Sequence, residues 1–398
     1  MRLLRWKITA IFTIFLLAVL ILMPVEQTWA ATGKSTASEK ATAQSQASQE
    51  SGQQLDDYDF SGVDDSLDID VDFKDMVQKI ITGGTDSVKQ NFFGQIITTI
   101  TKELQSNRVA LVQILALSVI AAIFTNITAS FKSTQISDMG FFVTCLALIT
   151  ILLAVFTSAT NLSKDAISCI IKFMKSLIPI YFSSIAATSG SLTTVAYYEV
   201  ILMVITLINS MFLHVVITGS YIYVIVSIAD CISKEESLSK LCDLIKTVLT
   251  WIVKTSLAAV IGINAIQSLI LPVADSMKTS VLSKSLSMIP GIGGGVGSIS
   301  TTVIGAGTLI KNGIGVAALV VVIGICLVPI IKLLIFVLTY KFVSAIIQPI
   351  SDKRIVQCIN NLSEGIGILL MTVAYSAIMF IITIAIICAS TNVNYLSL

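Results

Sequence analysis

The sequence predicts an all-α polytopic membrane protein with six to eight transmembrane helices. Two of its membrane segments are expected to be interrupted or re-entrant, and a signal peptide and a short acidic extracytoplasmic region precede them. Of 398 residues, 55% are hydrophobic and only 12% are charged, whereas soluble domains contain about 25% charged residues. The apolar residues also form long uncharged blocks of the length that crosses a bilayer. These observations argue against a water-soluble enzyme and against a disordered chain.

Residues 1–30 have the pattern of a secretory signal peptide. Three basic residues precede an apolar run from Ile8 to Met23, and Pro24 ends it. The small residues Ala30 and Ala31 then provide a cleavage site after Ala30. An uncleaved anchor helix is the alternative. In both cases the following residues lie outside the cytoplasm.

Residues 31–108 are polar and acidic, with seven Lys and Arg against thirteen Asp and Glu, a net charge of −6. Residues 31–72 are predicted to form a disordered segment, because they contain few large apolar side chains. Nine aspartates between residues 56 and 75 do not fit the EF-hand spacing and indicate a solvated acidic linker. Residues 73–108 are expected to form two amphipathic helices, whose apolar faces pack on the chain's own bundle, the membrane surface or a partner.

Residues 109–390 are predicted to form the helical transmembrane domain. The 30-residue uncharged block Val200–Ala229 is too long for one upright helix, and Gly219 is expected to divide it. The uncharged blocks that carry the prediction are Val109–Phe131, Met139–Ser163, Val200–Ala229, Thr255–Ala274, Asn312–Ile331 and Gly365–Cys388. With six or eight crossings, Lys341–Glu364 lies in the cytoplasm, in agreement with its basic residues. Seven crossings would reverse that orientation.

Two uncharged segments, Ser176–Tyr198 and Ser285–Ile310, are expected to be interrupted or re-entrant. Each contains the pattern Ser-x-Ile-Pro, at Pro179 and at Pro290. The match indicates an internal repeat over about residues 140–232 and 250–347, although a short apolar pattern also recurs by chance. The predicted pathway or hinge residues are Pro179, Glu199, Pro290, Gly293, Gly294 and Gly295.

Few polar side chains in the apolar blocks suggest chemistry. Glu199 either lines a pathway or lies at the membrane interface beside two tyrosines. His214 is expected to be a buried, satisfied histidine. Asn264 is expected to bond to a neighbouring helix.

No catalytic, cofactor or metal site is predicted. The sequence has one His and seven Cys without a CxxC pair, and the Gly-rich run at 291–297 lacks the Lys and the Ser or Thr of a phosphate loop. We therefore expect neither an enzyme nor a nucleic-acid-binding protein.

The order of features and one stretch near the C-terminus resemble the stage III sporulation protein AE family. That stretch carries Lys332, Tyr340-Lys341 and Gln348-Pro349 between Pro329 and Pro349. The resemblance implies a multi-pass protein of the mother-cell membrane around the forespore. It also implies membership of a channel-like complex with other membrane and ring-forming subunits, needed for late forespore gene expression. The alternative is a stand-alone secondary transporter for a small solute.

Overall fold

A computed structural model describes residues 55, 58–65, 72–82, 134–189, 192–232, 238–286, 295–349 and 352–390, together with Val112, Ala116 and Val119. The described residues contain helices and no strand. We number the helices α1 (Ser61–Asp64), α2 (Phe73–Ile81), α3 (Thr134–Ser189), α4 (Leu192–Met211), α5 (Ile217–Ile232), α6 (Ser239–Leu286), α7 (Gly295–Ile347) and α8 (Lys353–Ser390). The predicted signal peptide, the predicted second amphipathic helix and most of Val109–Phe131 lie outside the described residues.

Five described stretches are long and apolar enough to cross a membrane. They are Cys145–Ala186, Tyr197–Cys231, Ser239–Ile266, Ala306–Ile347 and Lys353–Cys388. The predicted all-helical, multi-span architecture is confirmed to this extent. Helix α8 lies at the centre of the bundle, because 72% of its most apolar window is buried, against 17% for α6.

Contacts with α8 show that successive spans alternate in direction. Asn264 of α6 bonds to Thr383, and Lys246 of the same helix pairs with Glu364, so α6 runs parallel to α8. Helix α3 is also parallel to α8, because the Phe173 and Phe380 rings lie 6.2 Å apart and Tyr181 contacts Cys388.

Helices α5 and α7 run in the opposite direction. Tyr223 donates to Glu364, whereas Asn209 lies beside Ser376. In α7, the Val337 carbonyl accepts from Ser363 and Ser344 donates to the Val356 carbonyl. We call the end at Lys246 and Glu364 the inner end, following the orientation that the charges predict, and the opposite end the outer end.

The predicted division at Gly219 is wrong. Residues 192–232 form one helical rod, in which a π-helical turn, Phe212–Val216, joins α4 to α5. Gly219 instead allows close packing of two helices, since a Cβ there would lie 2.6 Å from Cδ2 of Leu249 in α6. His214 is exposed on the π-helical turn and not buried as expected, and its Nδ1 lies 2.8 Å from the Ser210 carbonyl oxygen.

Helix α3 is also longer than predicted. It continues without a break from Thr134 through Lys164–Lys175 and through Pro179 to Ser189. The charged residues that follow the predicted span Met139–Ser163 keep the helical period, so the helix can continue through them. The predicted break at Pro179 is wrong, because this residue lies inside α3.

The described part of the acidic segment, residues 55, 58–65 and 72–82, packs on the bundle at its outer end and is called the outer segment below. In α2, Phe73, Met76 and Val77 are buried, and the Phe73 ring lies 6.1 Å from that of Phe173. This confirms the first amphipathic helix and its packing on the chain's own bundle. The expectation of disorder is wrong for part of residues 31–72, because Leu55, Phe60 and Val63 are buried as well. Even three apolar side chains find partners here, because the bundle already presents an apolar surface.

Candidate functional site

Polar pairs in the bundle interior join helices to one another. The Ser376 hydroxyl donates to Oδ1 of Asn209 over 2.6 Å, and Nδ2 of Asn264 donates to the Thr383 hydroxyl over 2.9 Å. All four side chains are buried. The Asn264 bond confirms the expected link to a neighbouring helix. Such bonds stabilise helix packing in lipid, and we assign them a structural role.

A cluster of charges marks the inner end. Nζ of Lys246 lies 2.6 Å from Oε2 of Glu364, which also accepts a bond from the Tyr223 hydroxyl at 3.4 Å. Just before α8, Asp352 accepts bonds from the backbone and guanidinium of Arg354. Partial burial raises the pKa of Asp352, but the bonds from Arg354 outweigh it and the net pKa is below the usual value. The contacts of Glu364 join α5 and α6 to α8, and the bonds between Asp352 and Arg354 fix the start of α8.

The outer end is closely packed around two glycines of α7. A Cβ at Gly315 would overlap Sγ of Cys388, which lies 3.2 Å from the Tyr181 hydroxyl. A Cβ at Gly313 would lie 2.8 Å from Cγ1 of Ile81. The absence of side chains at these positions lets α2 and α8 approach α7. Lys311, one turn earlier, is 1% exposed.

Helix α3 presents a polar face to the outside of the bundle. Nine polar residues fall within a sector about 100° wide at 100° per residue. This polar face consists of Thr150, Thr157, Asn161, Lys164, Asp165, Ser168, Lys172, Lys175 and Ser183, all exposed except Ser168, which is half-buried. From Thr150 to Ser183 it extends about 50 Å at 1.5 Å per residue, which exceeds the ~30 Å hydrocarbon core.

Other helices are apolar on the outside at the same depth. Lys172 and Lys175 flank Met174, whose Sδ lies 3.8 Å from Nδ2 of Asn209 in α4. Near that asparagine, Met203 and Leu207 are 55% and 64% exposed. Such apolar surfaces belong against lipid. A Lys or Asp at the centre of a membrane helix costs roughly 2.5–3.5 kcal/mol on insertion scales, so the polar face of α3 requires water or protein.

Of the predicted site residues, Pro179, Glu199 and Gly295 fall within the described part of the chain. Pro179 is exposed beside the polar face of α3, and Glu199 is exposed on α4. Gly295 is the first residue of α7, whereas Pro290, Gly293 and Gly294 lie outside the described residues. A shared cavity between Pro179 and Pro290 therefore stays a prediction.

The residues that carry the family resemblance lie in the last turns of α7 and just after it. Tyr340 is buried, Lys332 and Lys341 are half-buried, and Gln348 and Pro349 are exposed. Tyr340 and Lys341 lie near the inner end, far along the bundle from Pro179. The sequence interpretation missed the polar face of α3, although its signal was available as polar residues at helical spacing across 150–183.

The model of the stage III sporulation protein AE family matches residues 71–391. The chain belongs to this family. It is 22% identical over 323 residues to the stage III sporulation protein AE of Bacillus subtilis (strain 168), and the match covers 81% of each chain. No solved structure matches the chain. Family membership and the five apolar spans identify a multi-pass membrane protein of sporulation.

Proposed function

We propose that the chain is the membrane subunit of a channel-like complex that connects mother cell and forespore and supports late forespore gene expression. The observation that carries this proposal is the outer segment, which is fixed on the bundle and displays carboxylates. The ring centroids of Phe60 and Phe73 lie 5.7 Å apart in a tilted arrangement, and the Phe73 ring packs on that of Phe173. An outer surface that is held in place can bind a partner without first being ordered.

The carboxylates of this segment point to a polar or basic partner. Asp59, Asp65, Asp72 and Asp75 are exposed around α1 and α2. Hydrogen bonds from the Ser61 hydroxyl and amide hold the pKa of Asp59 below its usual value, so it is ionised near neutral pH. Electrostatic attraction by a surface of one sign favours partners of the opposite charge.

Six crossings fit this role best. Helix α2 packs at the outer end, whereas Cys145 near the start of α3 lines a small cavity at the inner end with Cys358 and Arg354. One crossing between residues 82 and 134 would join these two positions. The acidic segment would then face the space between mother cell and forespore, and Lys353-Arg354 the mother-cell cytoplasm.

Purification of the tagged full chain from sporulating cells tests the proposal. We expect other membrane subunits and ring-forming subunits to copurify, and we expect deletion of the chain to abolish a late forespore reporter. Recovery of the chain alone, with solute transport driven by an ion gradient in liposomes, would favour the stand-alone transporter instead.

A matched pair of variants tests the outer surface. The first variant replaces four aspartates by asparagine, which removes four charges but retains the capping oxygens. The replaced residues are Asp59, Asp65, Asp72 and Asp75. We expect loss of copurifying partners with normal membrane levels of the chain. Exchange of Asp243 on α6 for Asn, at the inner end, is the control and should retain the partners. Equal partner recovery in both variants would contradict a role for the acidic surface.

A further inference from the structure

We propose that the polar face of α3 lines a water-filled pathway for small anionic solutes, and that further copies of this chain supply the remaining wall. The inference rests on the proposed conduit function and adds its lining, its selectivity and its neighbour. It begins from the contrast, at the depth of Lys172 and Lys175, between the polar outer surface of α3 and the apolar outer surfaces of α4 and α6; nearer the inner end α6 also exposes Lys254.

Depth within the bundle is the first step. Phe173 of α3 contacts Phe380, and Thr383, one turn further along α8, bonds to Asn264 of α6. Near Asn264, α6 exposes Ile261 and Ile266, which belong against lipid. Lys172 and Lys175 are exposed at this same depth on α3. One side of the bundle therefore faces lipid while the α3 side faces water.

The backbone at Pro179 supports the same conclusion. Proline has no amide hydrogen, so it cannot donate the helical bond to the carbonyl of Lys175. Ser183 belongs to the polar face, and Pro179 is exposed within the same sector of the helix. The carbonyl oxygen of Lys175 therefore lies on this side of the helix. A freed carbonyl within a membrane is tolerated where protein or a water-filled cavity surrounds it.

The charges indicate the class of solute. The polar face carries three lysines and one aspartate, a net charge of +2. A pathway with low-dielectric walls concentrates the field of such charges and raises the local concentration of ions of opposite sign. Small anions, for example carboxylates or phosphorylated metabolites, are therefore the expected solutes.

The distribution of charge across the polar face indicates the neighbour. Lys164 and Lys175 lie within about 20° of one another around α3, whereas Asp165 lies about 100° from Lys164. At the depth of residues 164 and 165 the two edges of the face thus carry opposite charges, whereas Lys172, about 20° from Asp165, lies two turns further along the helix. In a ring of identical chains one edge of each copy meets the opposite edge of the next. Asp165 of one copy can then approach Lys164 of its neighbour at the same depth, which is charge complementarity between copies at this level.

Reaction of single cysteines in the full chain tests the pathway. A single cysteine replaces Asn161 or Ser168 in a background without the seven native cysteines. Single cysteines at Met203 and Leu207 serve as lipid-facing controls. Membranes of sporulating cells are opened to admit reagent from both sides. We expect a charged methanethiosulfonate to modify the α3 positions at least about tenfold faster than the controls, because the thiolate forms in water. Equal rates at both sets of positions would overturn the pathway.

Two further measurements test selectivity and neighbour. At position 168, the rate ratio of anionic to cationic methanethiosulfonate, normalised to a free thiol, should fall about tenfold when Lys172 and Lys175 are both replaced by Glu. An unchanged ratio would refute anion preference.

Chains carrying Lys164→Cys and Asp165→Cys, coexpressed with different tags, should form a disulfide between copies. Absence of a disulfide between differently tagged chains in the presence of an added oxidant, with both cysteines shown to react with a thiol reagent, would refute a wall made of copies.

These outcomes are separable from failure of the proposed function. If the cysteines of α3 react like the lipid-facing controls while the intact chain still copurifies with ring-forming subunits, the pathway is wrong and complex membership stands. If the α3 cysteines react as expected and the chain is recovered without partners, complex membership is wrong and the pathway stands.

Discussion

Replacement of Gly313 by Val should release α2 from the outer end of the bundle. The added Cβ would lie 2.8 Å from Cγ1 of Ile81 and 3.3 Å from Cγ1 of Val77. A contact under 3.0 Å requires the Ile81 side chain or helix α2 itself to shift, and overpacking of this kind costs about 1–3 kcal/mol. Helix α2 has nine residues, too few for stable helicity in isolation. The docked population should therefore fall by roughly 5- to 150-fold relative to the undocked one.

Hydrogen exchange of the purified full chain measures this change. Amides of residues 76–81 should lose protection by the same 5- to 150-fold factor, since they exchange from the undocked state. Gly262→Val is the matched control, because no atom lies within 4 Å of a Cβ at that position. Unchanged exchange of α2 in Gly313→Val, or an equal increase in both variants, would refute docking through Gly313.

Three further predictions concern polar contacts. Ser376→Ala should lower the free energy of unfolding by about 0.6–1.7 kcal/mol, because Asn209 loses a buried partner. A double-mutant cycle with Asn209→Ala measures the coupling energy of this pair. Full additivity of the two substitutions would contradict the prediction. Glu364→Gln should change stability by less than about 1 kcal/mol, because its pair with Lys246 is partly exposed; a larger loss in detergent unfolding would show that the ion pair is a major stabilising contact. Desolvation raises the pKa of Asp64, so this residue stabilises docking of α2 below its unfolded pKa, and that contribution is lost as the pH rises through the raised value. Asp64→Asn should remove this dependence from the exchange protection of α2, and an identical pH profile in the variant would contradict the assignment.

Periodicity and block length were sufficient to predict most of the described helices. The apolar positions of α2 recur at helical spacing, and the structure buries Phe73, Met76 and Val77 as that spacing requires. The uncharged block Gly365–Cys388 likewise lies within α8. In both cases a local pattern determines the element, and tertiary contacts add only its partners.

The sequence interpretation failed where charge was taken as the end of a helix. The uncharged block Met139–Ser163 predicts a span that ends before Lys164, yet α3 continues through Lys164–Lys175. A helix tolerates charges on one face when that face avoids lipid, and block counting takes no account of faces. Gly219 is expected to be a break for a different reason, the length of its block, and only the structure shows that Leu249 needs the space.

Direct imaging of the assembly purified through the tagged chain, in a lipid nanodisc, tests the central claim most directly. The map should show solvent, bordered by α3 of two or more copies, along Lys164, Lys172 and Lys175. It should show acyl chains against Met203 and Leu207. Acyl chains packed along the lysines, or α3 enclosed in a single copy without solvent, would contradict the account.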